Sequence, residues 1–127
     1  MNNKILFVDD DVKVLNGYKR SYRRKYDIVT AESGRQGLQD IENLKGEFAV
    51  IISDMKMPEM NGLEFLSQAK QLSPKSIMIM LTGNAELSVA HEALKEGVIY
   101  EFLTKPCKQE DLIQIIDQAL ECYDLKQ

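Results

Sequence analysis

Five short apolar runs alternate with five amphipathic stretches along the whole chain, and this alternation restricts the fold more than any other feature of the sequence. The runs are Lys4–Asp9, Asp27–Ala31, Phe48–Ile52, Ser76–Thr82 and Ile99–Thr104. The third (FAVII) and most of the fourth (SIMIMLT) lack the polar alternation of a half-exposed strand, so they read as strands covered on both faces. Between them the apolar residues recur at helical spacing. Val12, Leu15, Tyr18 and Tyr22 share one face, as do Leu38, Ile41 and Leu44, then Leu63, Leu66 and Ala69, and then Leu87, Ala90, Ala93 and Leu94. The last helix is the clearest, with Leu112, Ile115, Ile116, Ala119, Leu120 and Tyr123 in register. Ser33 with Gln36, and Asn61 with Glu64, have the spacing of a helix-capping box. Gly97 suits the residue just past a helix C-terminus, and Ser73-Pro74 ends the third helix.

Strict strand–helix alternation implies an α/β fold with one parallel sheet and helices on both faces. Right-handed crossovers narrow the topology, and the flavodoxin-like strand order 2-1-3-4-5 is the natural choice for five strands. The 127 residues suffice for one domain, expected over 1–127, with no repeat, linker or low-complexity segment. A net charge of −4 gives no footprint for nucleic acid. The basic stretch KRSYRRK (19–25) reads as a solvated helix face. No stretch is long and apolar enough for a membrane span, and MNNKILFVDD is not a signal peptide, so the chain is expected to be cytoplasmic. Cys107 and Cys122 are then free thiols. A single histidine, His91, excludes a His-rich metal site; it reads as a surface residue of the fourth helix.

In such sheets the ligand crevice lies at the carboxyl ends of the strands. Strand 1 ends on Asp9 and Asp10, strand 3 on Asp54, strand 4 on Thr82 and strand 5 on Lys105. The order 2-1-3-4-5 makes strands 1 and 3 neighbours, so three carboxylates converge with a hydroxyl and an ammonium. Ionised carboxylates this close need a counterion, and hard oxygen ligands suit Mg²⁺. A carboxylate can itself attack phosphorus, with charge stabilised by the cation and the lysine. Each element alone has a plainer reading: Asp9-Asp10 as a helix start, Thr82-Gly83 as a turn, Lys105-Pro106 as a loop. Met55, Met57 and Met60 read as loop packing, and Cys107 as a spectator thiol near the site.

The motifs FVDDD (7–11), SDMKMPEMNG (53–62), MLTG (80–83) and FLTKP (102–106) resemble those of the response-regulator receiver domains of two-component signalling. The resemblance covers the whole chain. It implies Asp54 as phospho-acceptor, with Asp10 and Asp54 as direct Mg²⁺ ligands and Asp9 acting mainly through water. It also implies the Lys56 backbone carbonyl as a ligand, Thr82 and Lys105 as catalytic groups, and Thr82 with Phe102 as the moving pair of a switch. Lys56 and Asn84 flank the site at positions that influence dephosphorylation in this family. The implied partners are a sensor histidine kinase or phosphotransfer protein, and an output domain or effector. EGVIYEFLTKPC (96–107) resembles receivers joined to HD-GYP-type phosphodiesterases. A phosphorylation-dependent homodimer is a further family property, and any output enzyme lies outside this chain.

Two other readings compete. A small Mg²⁺-dependent phosphatase of the haloacid-dehalogenase type also combines Asp, Thr or Ser, and Lys, but would carry Asp-x-Asp after the first strand, where this chain has Asp9-Asp10. A receiver that only docks would lack one of the site residues, and none is missing.

Overall fold

The computed structural model describes residues 2–45 and 47–126; Met1, Gly46 and Gln127 lie outside them. Its strands are β1 (Lys4–Val8), β2 (Asp27–Ala31), β3 (Val50–Asp54), β4 (Ile77–Thr82) and β5 (Glu101–Thr104). Its helices are α1 (Val12–Tyr22), α2 (Gly34–Asn43), α3 (Gly62–Leu72), α4 (Leu87–Lys95) and α5 (Gln109–Leu125). A 3₁₀ turn over Asn84–Glu86 leads into α4. All strands pair in parallel, in the order β2-β1-β3-β4-β5. The expected flavodoxin-like α/β fold is the one observed.

The apolar runs follow from the two layers. Leu6, Val8, Ile51, Met78 and Met80 pack on one face of the sheet with Ile41, Phe65, Leu66, Ala69, Ala90 and Ala93. Ile5, Phe7, Val50, Ile52, Ile77, Ile79 and Leu81 pack on the other with Leu15, Tyr22, Leu112, Ile116 and Ala119. Successive strand residues point to opposite faces, so a strand covered by helices on both sides must be apolar at every position. The edge strands differ. β2 is only partly buried along most of its length, and β5 is half-buried and ends exposed.

Three local expectations need correction. Val12 was placed on the buried face of α1, but it is 45% exposed. It is the first helical residue. Ser33 caps α2 by accepting from the Gln36 N–H, yet the Gln36 side chain bonds Asp40 instead of reaching back, so the box is half made. Strand 5 starts at Glu101, not Ile99; Ile99 is buried ahead of the ladder. The acids at the start of α1 also divide their roles. Asp11 alone caps the helix, accepting from the Lys13 N–H at 3.0 Å, which frees Asp9 and Asp10 for other contacts.

Asn61 and Glu64 form the full reciprocal box, at 2.9 and 3.0 Å. Asn61→Ala should therefore lower stability by about 1 kcal/mol, read as a reduced denaturation midpoint with unchanged slope. An unchanged midpoint would show that the box contributes nothing. Gly97 has φ +76°, the left-handed conformation expected after α4. The basic stretch behaves as a solvated surface: Lys19 and Arg20 sit in the last turn of α1, where cations favour the dipole, and Lys25 pairs with Asp117 at 3.1 Å.

Candidate functional site

Strand register builds the site before any side chain is considered. Val8 pairs with Ser53, so Asp9 and Asp54 leave adjacent strands side by side. Asp54 pairs with Leu81, and Thr82 pairs with Thr104, which places Lys105 next along the rim. The backbone ladder runs one step past the strands. The Met55 N–H donates to the Leu81 carbonyl and the Lys105 N–H to the Thr82 carbonyl, each at 2.8 Å, while the Asp9 N–H donates to the Ala31 carbonyl at 3.2 Å. The site residues are thus held by main-chain bonds continuous with the sheet.

The side chains converge as expected. Lys105 Nζ lies 3.0 Å from Asp54 Oδ1 and 3.8 Å from Asp9 Oδ2. Carboxylate oxygens of Asp9, Asp10 and Asp54 all lie within 4.8 Å of one another. Asp9 and Asp54 are buried and Asp10 is exposed. Asp9 Oδ1 accepts from the Asp11 N–H at 2.9 Å, but its buried Oδ2 has no hydrogen-bond partner. Burial pushes the Asp9 carboxyl above its ordinary range, opposed by the Asp11 N–H and reinforced by the neighbouring Asp54 charge. Lys105 is lowered by burial but raised further by its hydrogen bond and charge pairing with Asp54, so the net shift is upward.

A buried carboxylate oxygen that has no hydrogen bond, beside two more carboxylates, fits a small hard cation. The donor set is all oxygen, with room for water on the Asp10 side.

The sign of the Asp9 shift makes a prediction. A carboxyl whose folded pKa is raised holds its proton better folded than unfolded. Stability therefore falls as pH rises from the ordinary carboxylate range through the folded value, and stays lowered above it. In EDTA, Asp9→Asn should raise the melting temperature at a pH above the range where the folded Asp9 carboxyl ionises, and the gain should shrink as pH falls. The same variant should lose the extra stability that added divalent cation gives the wild type. A variant less stable than wild type at that higher pH would refute this account.

Thr82 is fully buried, and its hydroxyl donates to the Gly83 carbonyl at 3.2 Å. It stands beside the cluster without a hydrogen bond to it. Lys56, on the loop after β3, is exposed, as is Asn84. Phe102 is half-buried on β5 and meets the His91 ring edge-on, with centroids 5.0 Å apart and planes at 82°. Sequence reasoning gave His91 no partner; positions on separate elements leave no periodic signal of such contact. Cys107 is half-buried beside Lys105, and burial raises its thiol, which suits a spectator. Met55 and Met57, on the loop after β3, are buried in the core, and the half-buried Met60 packs against the same cluster.

Residues 5–117 match the family model described as the response regulator receiver domain. The chain belongs to that family. Over 118 residues this receiver is 37% identical to the transcriptional regulatory protein GlrR of Escherichia coli K12, covering 92% of this chain and 26% of that protein. The receiver thus spans about a quarter of the length of the curated relatives it matches. Among solved structures it resembles an adenylate cyclase from Rhodopirellula baltica at 42% identity and TM-score 0.96, covering 98% of this chain and 92% of that one. It also resembles a response regulator receiver domain protein from Clostridium thermocellum at 34% identity and TM-score 0.92, covering 98% of each. It is a two-component response-regulator receiver. The family match sets aside the phosphatase alternative. Among the described residues, no helix is long and apolar enough to cross a membrane.

Proposed function

We propose that this receiver, taken as one domain over 1–127, accepts a phosphoryl group on Asp54 from a sensor histidine kinase or phosphotransfer protein in the cytoplasm. The observation that carries this is the Asp54–Lys105 contact at 3.0 Å inside a cluster of three carboxylates. An Asp54 carboxylate oxygen forms a bond to phosphorus as the bond from phosphorus to the donor histidine nitrogen breaks. Asp9, Asp10, Asp54 and the Lys56 carbonyl would hold Mg²⁺, which when bound offsets the carboxylate charge and polarises the phosphoryl oxygens.

Lys105 holds Asp54 in place beforehand. Afterwards its ammonium pairs with a phosphoryl oxygen, because the acyl phosphate leaves the Asp54 carboxyl without its charge and places negative charge on the phosphoryl group. Among the described residues the Thr82 hydroxyl donates to the neighbouring Gly83 carbonyl, at 3.2 Å, a bond it can give up for a new acceptor. That movement opens space beneath the loop before α4, and Phe102 swings into it. The face of α4, β5 and α5 then changes shape for an output domain, an effector or a second receiver copy. Phe102 lacks the hydroxyl of a tyrosine, so its part in the switch is one of packing. For the output, EGVIYEFLTKPC supports an HD-GYP-type phosphodiesterase; proteins similar to this receiver are also named as a transcriptional regulatory protein and an adenylate cyclase.

The test is intact mass after incubation with acetyl phosphate. One phosphate adduct should form with Mg²⁺ and none with EDTA. Absence of any adduct, where a control receiver labels, would favour the docking-only reading.

A further inference from the structure

We propose that His91 is a positioning residue that latches Phe102 in the resting conformation; this rests on the reading of Phe102 as the moving aromatic. Leu87, His91 and Leu94 stand at i, i+4 and i+7 of α4, on one face of the helix. Leu87 and Leu94 are half-buried, whereas His91 is exposed. Ala90 and Ala93 take the buried face against the sheet. His91 is thus a polar, solvent-facing residue whose ring nevertheless meets Phe102, at 5.0 Å and 82°. Perpendicular rings at this separation attract, the positive edge of one meeting the negative face of the other. The contact bridges α4 to β5, two of the three elements of the proposed output face.

Phe102 pairs with Met80 in the ladder, two residues before the Thr82–Thr104 pair. It packs at the border of the core shared with α4 and is already half-buried. Moving it inward separates it from His91. A contact present in only one of two states biases the equilibrium toward that state. His91 therefore opposes activation, and by linkage its removal strengthens binding of whatever favours the active state. Such a latch lies outside the phosphorylation chemistry and outside the core, where it can be tuned without unfolding the domain.

The chain's single histidine gives a clean probe, because its imidazole Cε1–H is an unambiguous proton resonance. The experiment titrates beryllofluoride, a phosphoryl mimic, with Mg²⁺ into the full chain. In the wild type the His91 resonance should move as the Phe102 ring leaves it. In His91→Ala the half-saturating concentration should fall by about 2- to 10-fold, the range one aromatic edge contact carries. His91→Phe, which restores a ring, should return toward the wild-type value. Equal midpoints for wild type and His91→Ala overturn the latch and leave the phospho-acceptor reading intact. So does a His91 resonance that stays fixed while the protein loads. Failure of the wild type to load at all overturns both.

Discussion

Asp54→Asn should abolish the acetyl phosphate adduct while leaving the fold in place. This is the largest functional effect expected of any single substitution in the chain. Asparagine has the shape of aspartate, but its neutral amide oxygen is no nucleophile toward phosphorus. The ladder bond from the Met55 N–H to the Leu81 carbonyl is main-chain and unaffected. Lys105 loses its 3.0 Å partner but keeps Asp9 at 3.8 Å, and its side chain is 37% exposed, so water covers much of the deficit. Stability should change by no more than about 1 kcal/mol, the scale of a partly exposed ion pair. The variant should also lose one charge from a crowded acidic cluster, which favours the fold. Intact mass and a denaturation curve on the same sample check both halves. An adduct that persisted in Asp54→Asn would move the nucleophile to Asp9 or Asp10. With steady phosphate release, that would revive the phosphatase arrangement at strand 1.

Most of this site was legible because strand ends are legible. An apolar run that stops on Asp9, Asp54 or Thr82 marks both the strand and the rim, and parallel order then brings the rim together. The same logic gave the two-layer core, since uninterrupted apolar strands require cover on both faces. What escaped was set by contacts between elements rather than by periods within them. Val12 is the first residue of α1 and stays exposed, and a helical wheel does not show where along the helix burial begins. The half-made box at Ser33 depends on Gln36 finding Asp40 one turn on, a competition the spacing does not rank. The His91–Phe102 contact joins α4 to β5 across the chain's third dimension. The division of labour among Asp9, Asp10 and Asp11 needed the actual donors: one N–H on Asp9, another on Asp11.

Gly62→Ala should be strongly destabilising, although Gly62 has an ordinary backbone conformation and reads in the sequence only as a helix start. Its reason is distance. A Cβ built at Gly62 would lie 2.7 Å from the Met55 Cα and closer still to the Asp54 carbonyl oxygen. Both are backbone atoms and neither can rotate aside. The approach is fixed from two sides. The Gly62 N–H donates to the Met55 carbonyl at 2.8 Å, while Met55 is tied to β4 through Leu81. On the helix side, Asn61 and Glu64 lock the first turn of α3, and Phe65 and Leu66 are fully buried just beyond. A methyl group must therefore push α3 away from the end of β3 or tilt the strand end itself. Overpacking of this kind should lower stability by about 3 kcal/mol, or roughly 10 °C in melting temperature for a chain of this size. The displaced backbone carries the Asp54 side chain, so whatever protein remains folded should also label more slowly with acetyl phosphate. A thermal melt gives the first number, and labelling at a temperature where the variant is folded gives the second. Wild-type stability in Gly62→Ala would mean that α3 slides freely over the strand end, and the site would then owe its geometry to the sheet alone.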